Sequence, residues 1–417
     1  MSAPAQRLVA ALDLGTSRVA AAIGEVTGDS RNPGVRVLGV GSEKTTGIRR
    51  GVVRDIEETT RAIARALKDA QLMAGVEVGT VYVGIAGEHV VGHLSHGVVS
   101  VTGSEIRTAD VARVNEQAAI VTSSPDHELL HAVPQDYIVE QQSGISDPIG
   151  MVGSRIQAHV YLVTVLSSAV INLQKAIEKA GYRVGEFVLE PLAASLAVLT
   201  PDERELGCAL IELGGGSTNV SVFQQGKICH TASLMFAGSH VSNDIVHGLQ
   251  VPQQDAERLK ETHGAAFEPL VSDDEVFQLP AGAGQTPRSA HRRVLAHIMH
   301  MRLQEIFELV QDELNRKSFR QRLGSGIVLS GGGAQTPGIV ELAREVFALP
   351  VRVAVPGTGL SGLADRVSNP RMTVPAGLLL YGAKQAMQSG GFGVQARRSP
   401  AVEKMIGPVK RWLQDFF

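Results

Sequence analysis

The chain has 417 residues, 44% apolar, 19% charged and only 4% aromatic, with a formal net charge of −3. That length calls for more than one packed lobe, and the mild acidity excludes a global basic field for a nucleic-acid partner. The two cysteines, Cys208 and Cys229, stand outside any CxxC or Cys/His spacing, which excludes a disulfide scaffold or zinc module and favours a reducing cytosol.

The opening "MSAPAQRLVAALDLG" meets Asp13 before an apolar h-region develops, so no secretory signal is expected. No unbroken apolar run of about 20 residues follows, so nothing is expected to span a bilayer. "RLVAALDLGTSRVAAAIGEV" (7–26) reads as an apolar β run, a Gly-Thr-Ser turn and a second β run. Further on, "SEIRTADVARVNEQAAIV" (104–121) has a Ser/Thr-Asp helix start, flanked by apolar β-like runs.

"GCALIELGGGSTNVSVFQQG" (207–226) repeats the first hairpin pattern, with Glu212 in the place of Asp13. That weak duplication points to two related half-domains facing one another. The chemistry of such turns is phosphate binding. Gly15, Gly214, Gly215 and Gly216 let backbone N–H groups approach an anion, and the hydroxyls of Thr16, Ser17, Ser217 and Thr218 add donors. Asp13 and Glu212, just ahead of the turns, suit the hydrated Mg²⁺ that accompanies a nucleotide. Neither turn is a Walker loop, since the GxxxxGK[ST] lysine is absent. Taken singly, a Gly-tipped hairpin is the alternative.

In "QQDAERLKETHG" (253–264), Glu257 and Lys260 stand three apart on one helical face, an arrangement that an exposed ion pair also explains. "TPRSAHRRVLAHIMHMRLQEIFELVQDEL" (286–314) reads as one long helix after a Gly/Pro/Gln loop, with Val294, Leu295, Ile298, Met299, Ile306, Leu309, Val310 and Leu314 on a core face. His291, His297 and His300 lack a completing acid or Cys and read as surface histidines rather than a metal set. "GIVLSGGGAQTPGIVELAREVF" (326–347) is a β run, then Gly331, Gly332 and Gly333, then an amphipathic helix. Backbone close to a helix N-terminus suits a nucleoside, with tight strand-to-helix packing as the alternative.

Residues 388–400, "QSGGFGVQARRSP", read as a flexible tether. Beyond it, Val409, Trp412, Leu413, Phe416 and Phe417 continue a three-four rhythm alongside Lys410 and Arg411. From Pro408 the segment is about 15 Å of helix, too short to span but suited to lie in an anionic membrane surface. A helix docked on its own domain is the alternative.

Together, in this order and spacing, the three glycine elements resemble the actin/Hsp70/sugar-kinase ATPase superfamily: first phosphate, second phosphate and adenosine motifs. "EPLAASLAVL" (190–199) and "VPAGLLLYG" (374–382) resemble its two connecting helices. "GVGSEKTTGIRRGVVRDIEETTRAI", "LLHAVPQDYIV", "GISDPIGMVGSRIQAHVYLVT", "DERELG" and the aromatic-basic tail resemble signatures of the bacterial cell-division protein FtsA, over roughly residues 8–386 and 401–417.

The resemblance implies an α/β, actin-like two-lobe ATPase fold with an inserted 1C-type subdomain and a C-terminal amphipathic helix. Lobe one (1A) would comprise 1–84, 164–200 and 375–387, the insert (1C) 85–163, lobe two (2A) 201–245 and 322–374, subdomain 2B 246–321, the linker 388–400 and the membrane helix 401–417. It implies ATP and Mg²⁺ as cofactors, with Glu257 and Lys260 at the ribose and adenine. It also implies Arg288 and Arg302 at the acidic C-terminal peptide of FtsZ, an actin-like protofilament of the chain with itself, later division proteins as partners, and a peripheral place on the cytoplasmic face of the inner membrane at the septum. The family pattern Asp-x-Gly-Gly-Gly-Thr-x-Asp is altered here, with Glu212 and Asn219 replacing both aspartates. No residue is assignable as the group orienting a hydrolytic water, so slow or negligible hydrolysis is expected. A small-molecule kinase, an Hsp70-type ATPase and a PilM-like assembly protein are the rivals.

Overall fold

The computed structural model describes residues 7–29, 32–120, 126–279 and 288–388. Its first lobe is a six-stranded sheet of β1 (Leu8–Leu14), β2 (Arg18–Gly28), β3 (Pro33–Lys44), β6 (Thr80–Ile85), β11 (Arg183–Leu189) and β19 (Leu360–Gly362) in the order β11-β6-β1-β2-β3-β19. The first three strands form an antiparallel meander, and β6 and β11 add parallel to β1. Strand β1 is apolar at almost every position because both faces are covered. Helices α1 (Ile56–Ala74) and α3 (Ser167–Lys179) pack together on one side, with α1 against β2 and β3. Asp55 caps α1 by accepting from the Glu58 N–H, and Gly75 ends it in the left-handed region.

The second lobe repeats the pattern. Strands β12 (Cys208–Leu213), β13 (Thr218–Gln224) and β14 (Lys227–Leu234) form a meander, and β17 (Ile327–Ser330) and β18 (Val351–Val353) add parallel to β12, in the order β14-β13-β12-β17-β18. The faint similarity of the two hairpin sequences is therefore a similarity of whole sheets. Around this sheet lie α6 (Gly238–Leu249), α7 (Gln253–His263), α8 (Arg292–Arg316) and α9 (Ile339–Phe347). Phe307 of α8 meets Phe347 of α9 with ring centroids 5.3 Å apart, worth about 1 kcal/mol beyond the area buried.

Helix α8 is shorter at its start than the sequence pattern predicts. Arg288–His291 is a strand, β16, paired antiparallel with β15 (Val276–Leu279). Leu295, Met299, Ile306, Val310 and Leu314 are buried as expected, but Val294 is exposed, and Leu303 and Phe307 join the core instead. The buried stripe thus follows the predicted one and is widened by Leu303 and Phe307.

Two helices link the lobes. Helix α4 (Glu190–Val198) crosses α11 (Thr373–Gln388), which also lies on β1, β2 and β3. At the crossing the Cα of Gly377 is so close to α4 that a Cβ there would sit 2.0 Å from the Ala193 carbonyl. Helix α5 (Pro201–Leu206) follows α4 and starts with a capping box between Thr200 and Glu203, an arrangement that stabilises a helix start by about 1 kcal/mol. Arg352 on β18 donates to both Glu203 oxygens, at 2.6 and 2.7 Å, and to the Val198 carbonyl at 2.6 Å. This clamp fixes lobe two to the linking segment. Shorter elements among the described residues include the β4 (Ile48–Arg49)/β5 (Val52–Val53) hairpin and α10 (Ala364–Val367).

An antiparallel sheet is inserted between β6 and β11: β7 (Val90–Ser100), β8 (His127–Val139), β9 (Gln142–Ile145) and β10 (Arg155–Leu166), in the order β7-β10-β8-β9, with α2 (Thr108–Ile120) on one face. It has a core of its own around Val114, Tyr137, Ile156, Val160 and Leu162. It touches lobe two as well as lobe one. The Thr231 N–H donates to Tyr161 Oη at 2.7 Å, Gln135 donates to the Ile228 carbonyl at 3.0 Å, and Lys227 to the Gln135 carbonyl at 2.9 Å.

Candidate functional site

The two hairpin turns meet across the interlobe cleft. A Cβ on Gly215 would fall 2.7 Å from Ser17 Oγ, and one on Gly216 would fall 2.5 Å from Thr16 Oγ1. Glycines at these positions keep the turns' backbone accessible from the opposite lobe. Thr16, Ser17, Gly214, Gly215 and Ser217 are at least partly exposed. Thr218 is not: its hydroxyl is fully buried and donates to the Phe236 carbonyl at 2.7 Å, so it fastens the turn rather than facing the cleft.

Behind the turns three carboxyls converge. Asp13 on β1 and Glu212 on β12 occupy equivalent places, and Glu190 joins them from the first position of α4. Burial pushes Asp13 up to about 7 and Glu212 up to about 8, the latter also raised by the charge of Asp13. Glu190 is held well above the usual carboxylate range by burial and then by Asp13 and Glu212. Like charges in one cleft cannot all ionise without a counter-ion. Among the described residues no three His, Cys, Asp or Glu side chains could grip a metal ion directly. Glu212 Oε2 is buried without a hydrogen-bond partner there. Those features fit a hydrated divalent cation, reached through its water shell.

Asn219 is paired across the hairpin with Glu212. Its amide hydrogen-bonds Glu212, and its oxygen accepts from Ser233 at 2.8 Å. An aspartate here would bring a fourth carboxyl to the cluster and lose the amide that hydrogen-bonds Glu212.

The second turn is tied to a wall for a larger ligand. The N–H groups of Gly238 and Ser239, at the start of α6, donate to the Gly214 and Gly215 carbonyls at 3.1 and 2.8 Å. Lys260 on α7 donates to the Gly238 carbonyl at 3.2 Å, Ser242 Oγ at 2.8 Å and Glu257 at 2.8 Å, while Ser242 donates to Glu257 at 2.5 Å. The expected Glu257/Lys260 pair is thus part of a network that reaches the phosphate-type turn. Its lysine side chain is 17% exposed, unlike an ordinary surface ion pair. Gly331 and Gly333 lie against Leu213 at the end of β12, and a Cβ on Gly332 would be 3.4 Å from Arg371 Nε. Arg371 donates to Glu261 of α7 at 3.1 Å, so the third glycine element and α7 border the same space.

Sequence reasoning overlooked Glu190, Ser242 and Arg371. Glu190 follows an apolar strand and precedes a proline, so its only local signal is that of an ordinary helix-start acid; its partners come from two distant hairpins.

The two expected peptide-contact arginines lie on different elements. Arg302 on α8 donates to both oxygens of Asp244 on α6, at 2.5 and 3.0 Å, and also to Glu305. It borders a groove of about 480 Å³ lined by Asp244, Ile298, Met301, Gln304, Glu305 and Glu308. Arg288, on β16, donates to the Leu249 and Gln250 carbonyls at 3.3 and 3.4 Å. His297 pairs with Glu268 at 2.7 Å. The expected membrane residues Val409, Lys410, Arg411, Trp412, Leu413, Phe416 and Phe417 lie outside the described residues, and no described helix is long and apolar enough to cross a membrane.

Residues 209–377 match the family model "Cell division protein FtsA", and 87–164 match "SHS2 domain inserted in FTSA". The cell division protein FtsA of Pseudomonas aeruginosa is 38% identical over 99% of this chain and 98% of its own length, and that of Escherichia coli K12 is 35% identical over 99% of both. Among solved structures, a PilM-PilN type IV pilus biogenesis complex superposes with a TM-score of 0.65 at 17% identity, covering 90% of this chain and 98% of that one. MreB5 of Spiroplasma citri bound to ADP gives 0.55 at 16%, covering 93% and 100%. These establish an actin-like fold.

Proposed function

Because the chain belongs to the FtsA family of cell division proteins, we propose that it is an ATP-binding, actin-like adaptor that self-associates into a protofilament and tethers FtsZ to the cytoplasmic face of the inner membrane at the septum, where later division proteins are gathered. The observation that carries this reading is the pair of glycine-hydroxyl turns facing one another in front of Asp13, Glu190 and Glu212. Backbone N–H groups and hydroxyls at Gly15, Thr16 and Ser17 approach the phosphates from lobe one, and those at Gly214, Gly215, Gly216 and Ser217 from lobe two. Bound Mg²⁺ would neutralise phosphate charge in the cleft. Asp13 and Glu212 would hold its water shell, and Glu190, which belongs to neither turn and is kept protonated by burial and its two neighbours, would take a proton from water only in its ionised form. Turnover is expected to stay below about 1 s⁻¹, with ATP acting as a conformational and assembly ligand.

Lys260, Glu257 and the Gly331–Gly333 turn flank the nucleoside. The groove beside Arg302 receives the acidic peptide of FtsZ, whose carboxylates exchange with Asp244 or Glu305 on the guanidinium. Residues 401–417 lie in the membrane surface, with Trp412, Phe416 and Phe417 among the acyl chains and Lys410 and Arg411 at anionic headgroups. Co-sedimentation of FtsZ with anionic liposomes tests this. The intact chain with ATP should bring FtsZ down, Trp412→Glu should leave both proteins in solution, and Arg302→Glu should sediment without FtsZ. Equal recovery with all three would contradict the reading.

A further inference from the structure

The inserted sheet reaches the proposed cation site through one hydrogen bond. Strand β8 carries His131, which is 4% exposed and paired with Val163 on β10. Its Nε2 accepts the Leu189 N–H at 2.9 Å across 58 residues of sequence. Leu189 is the last residue of β11 and the N-cap of α4, and its side chain cannot cap. The next residue is Glu190. His131 therefore does from another sheet what the third residue of a capping box does from its own helix: it satisfies the N-cap amide. Neutral imidazole is required, because Nε2 must present a lone pair.

We infer that His131 is a positioning residue for the proposed nucleotide site: it holds the start of α4, and with it the Glu190 carboxyl, in place opposite Asp13 and Glu212. The inserted sheet is thereby a working part of the cleft. Tyr161, on the neighbouring β10, is bonded to Thr231 of lobe two, so the same sheet is tied to both lobes. This inference rests on the function proposed above.

The test measures binding of ATP to the full-length chain with and without Mg²⁺. His131→Leu keeps bulk but removes the acceptor; His131→Gln restores an acceptor. His131→Leu should weaken MgATP binding by about fivefold or more while changing Mg²⁺-free ATP binding less than about twofold, and His131→Gln should return within about twofold of the parent. Tyr137→Phe, which removes the Asn115 bond inside the insert, serves as a stability control and should leave the Mg²⁺ dependence unchanged. A folded His131→Leu protein with the parent's Mg²⁺ dependence overturns the inference alone, whereas a parent that binds no MgATP removes the proposed function with it. Should His131→Leu fail to fold, amide exchange on the parent decides: MgATP should slow exchange at Leu189 and along residues 127–139, and no change there overturns the inference.

Discussion

Thr16 Oγ1 stands 2.5 Å from the point where a Cβ on Gly216 would lie, so the tips of two hairpins 200 residues apart are mutually fitted. Gly216→Ala should force the turns apart at the place proposed for the phosphates. The expected result is at least about tenfold weaker MgATP binding, by calorimetry, with a small change in melting temperature because the residue lies in a turn rather than the core.

The crossing of the linking helices is less forgiving. Gly377→Ala places a methyl 2.0 Å from the Ala193 carbonyl, and backbone on both sides must move. A loss of about 2 kcal/mol or more is expected in chemical denaturation, with both lobes affected.

Arg352 and Glu203 form a bidentate pair in which the carboxylate is 16% exposed and the guanidinium 40%. Arg352→Met should cost about 1–2 kcal/mol, since it leaves Glu203 with only its Thr200 contacts. The loss should persist at high salt, because a half-buried pair is screened less than a surface one. Melting curves in low and high salt check this.

Burial lowers the pKa of His131 from its ordinary 6.5 to about 4. The unfolded chain therefore takes up a proton that the folded chain refuses, and stability from this residue is lost as pH falls from 6.5 towards 4. Asp13, Glu190 and Glu212 shift upward and act in the opposite direction. Comparison with His131→Gln isolates the histidine: the parent's advantage in melting temperature should shrink across that interval and be constant above it.

The sequence carried the parts of the site that are made locally. Two hairpins with glycine and hydroxyl tips are readable because turn chemistry is encoded within a few residues, and the α7 pair was visible from its spacing. What it did not carry are relationships made by topology. Glu190 gains its character from Asp13 and Glu212, His131 gains its role from Leu189, and Thr218 turns away from the cleft because Phe236 offers its carbonyl. The β16 strand was missed for a related reason: "RSAH" has little strand signal, and pairing with β15 decides its conformation.

The most direct test of the central claim is calorimetric titration of ATP into the intact chain, with and without Mg²⁺. One nucleotide per chain with a Kd of about 10 μM or tighter in Mg²⁺, and much weaker binding to Gly216→Ala, is the predicted result. No heat of binding up to about 1 mM ATP, or equal binding by both proteins, would contradict it.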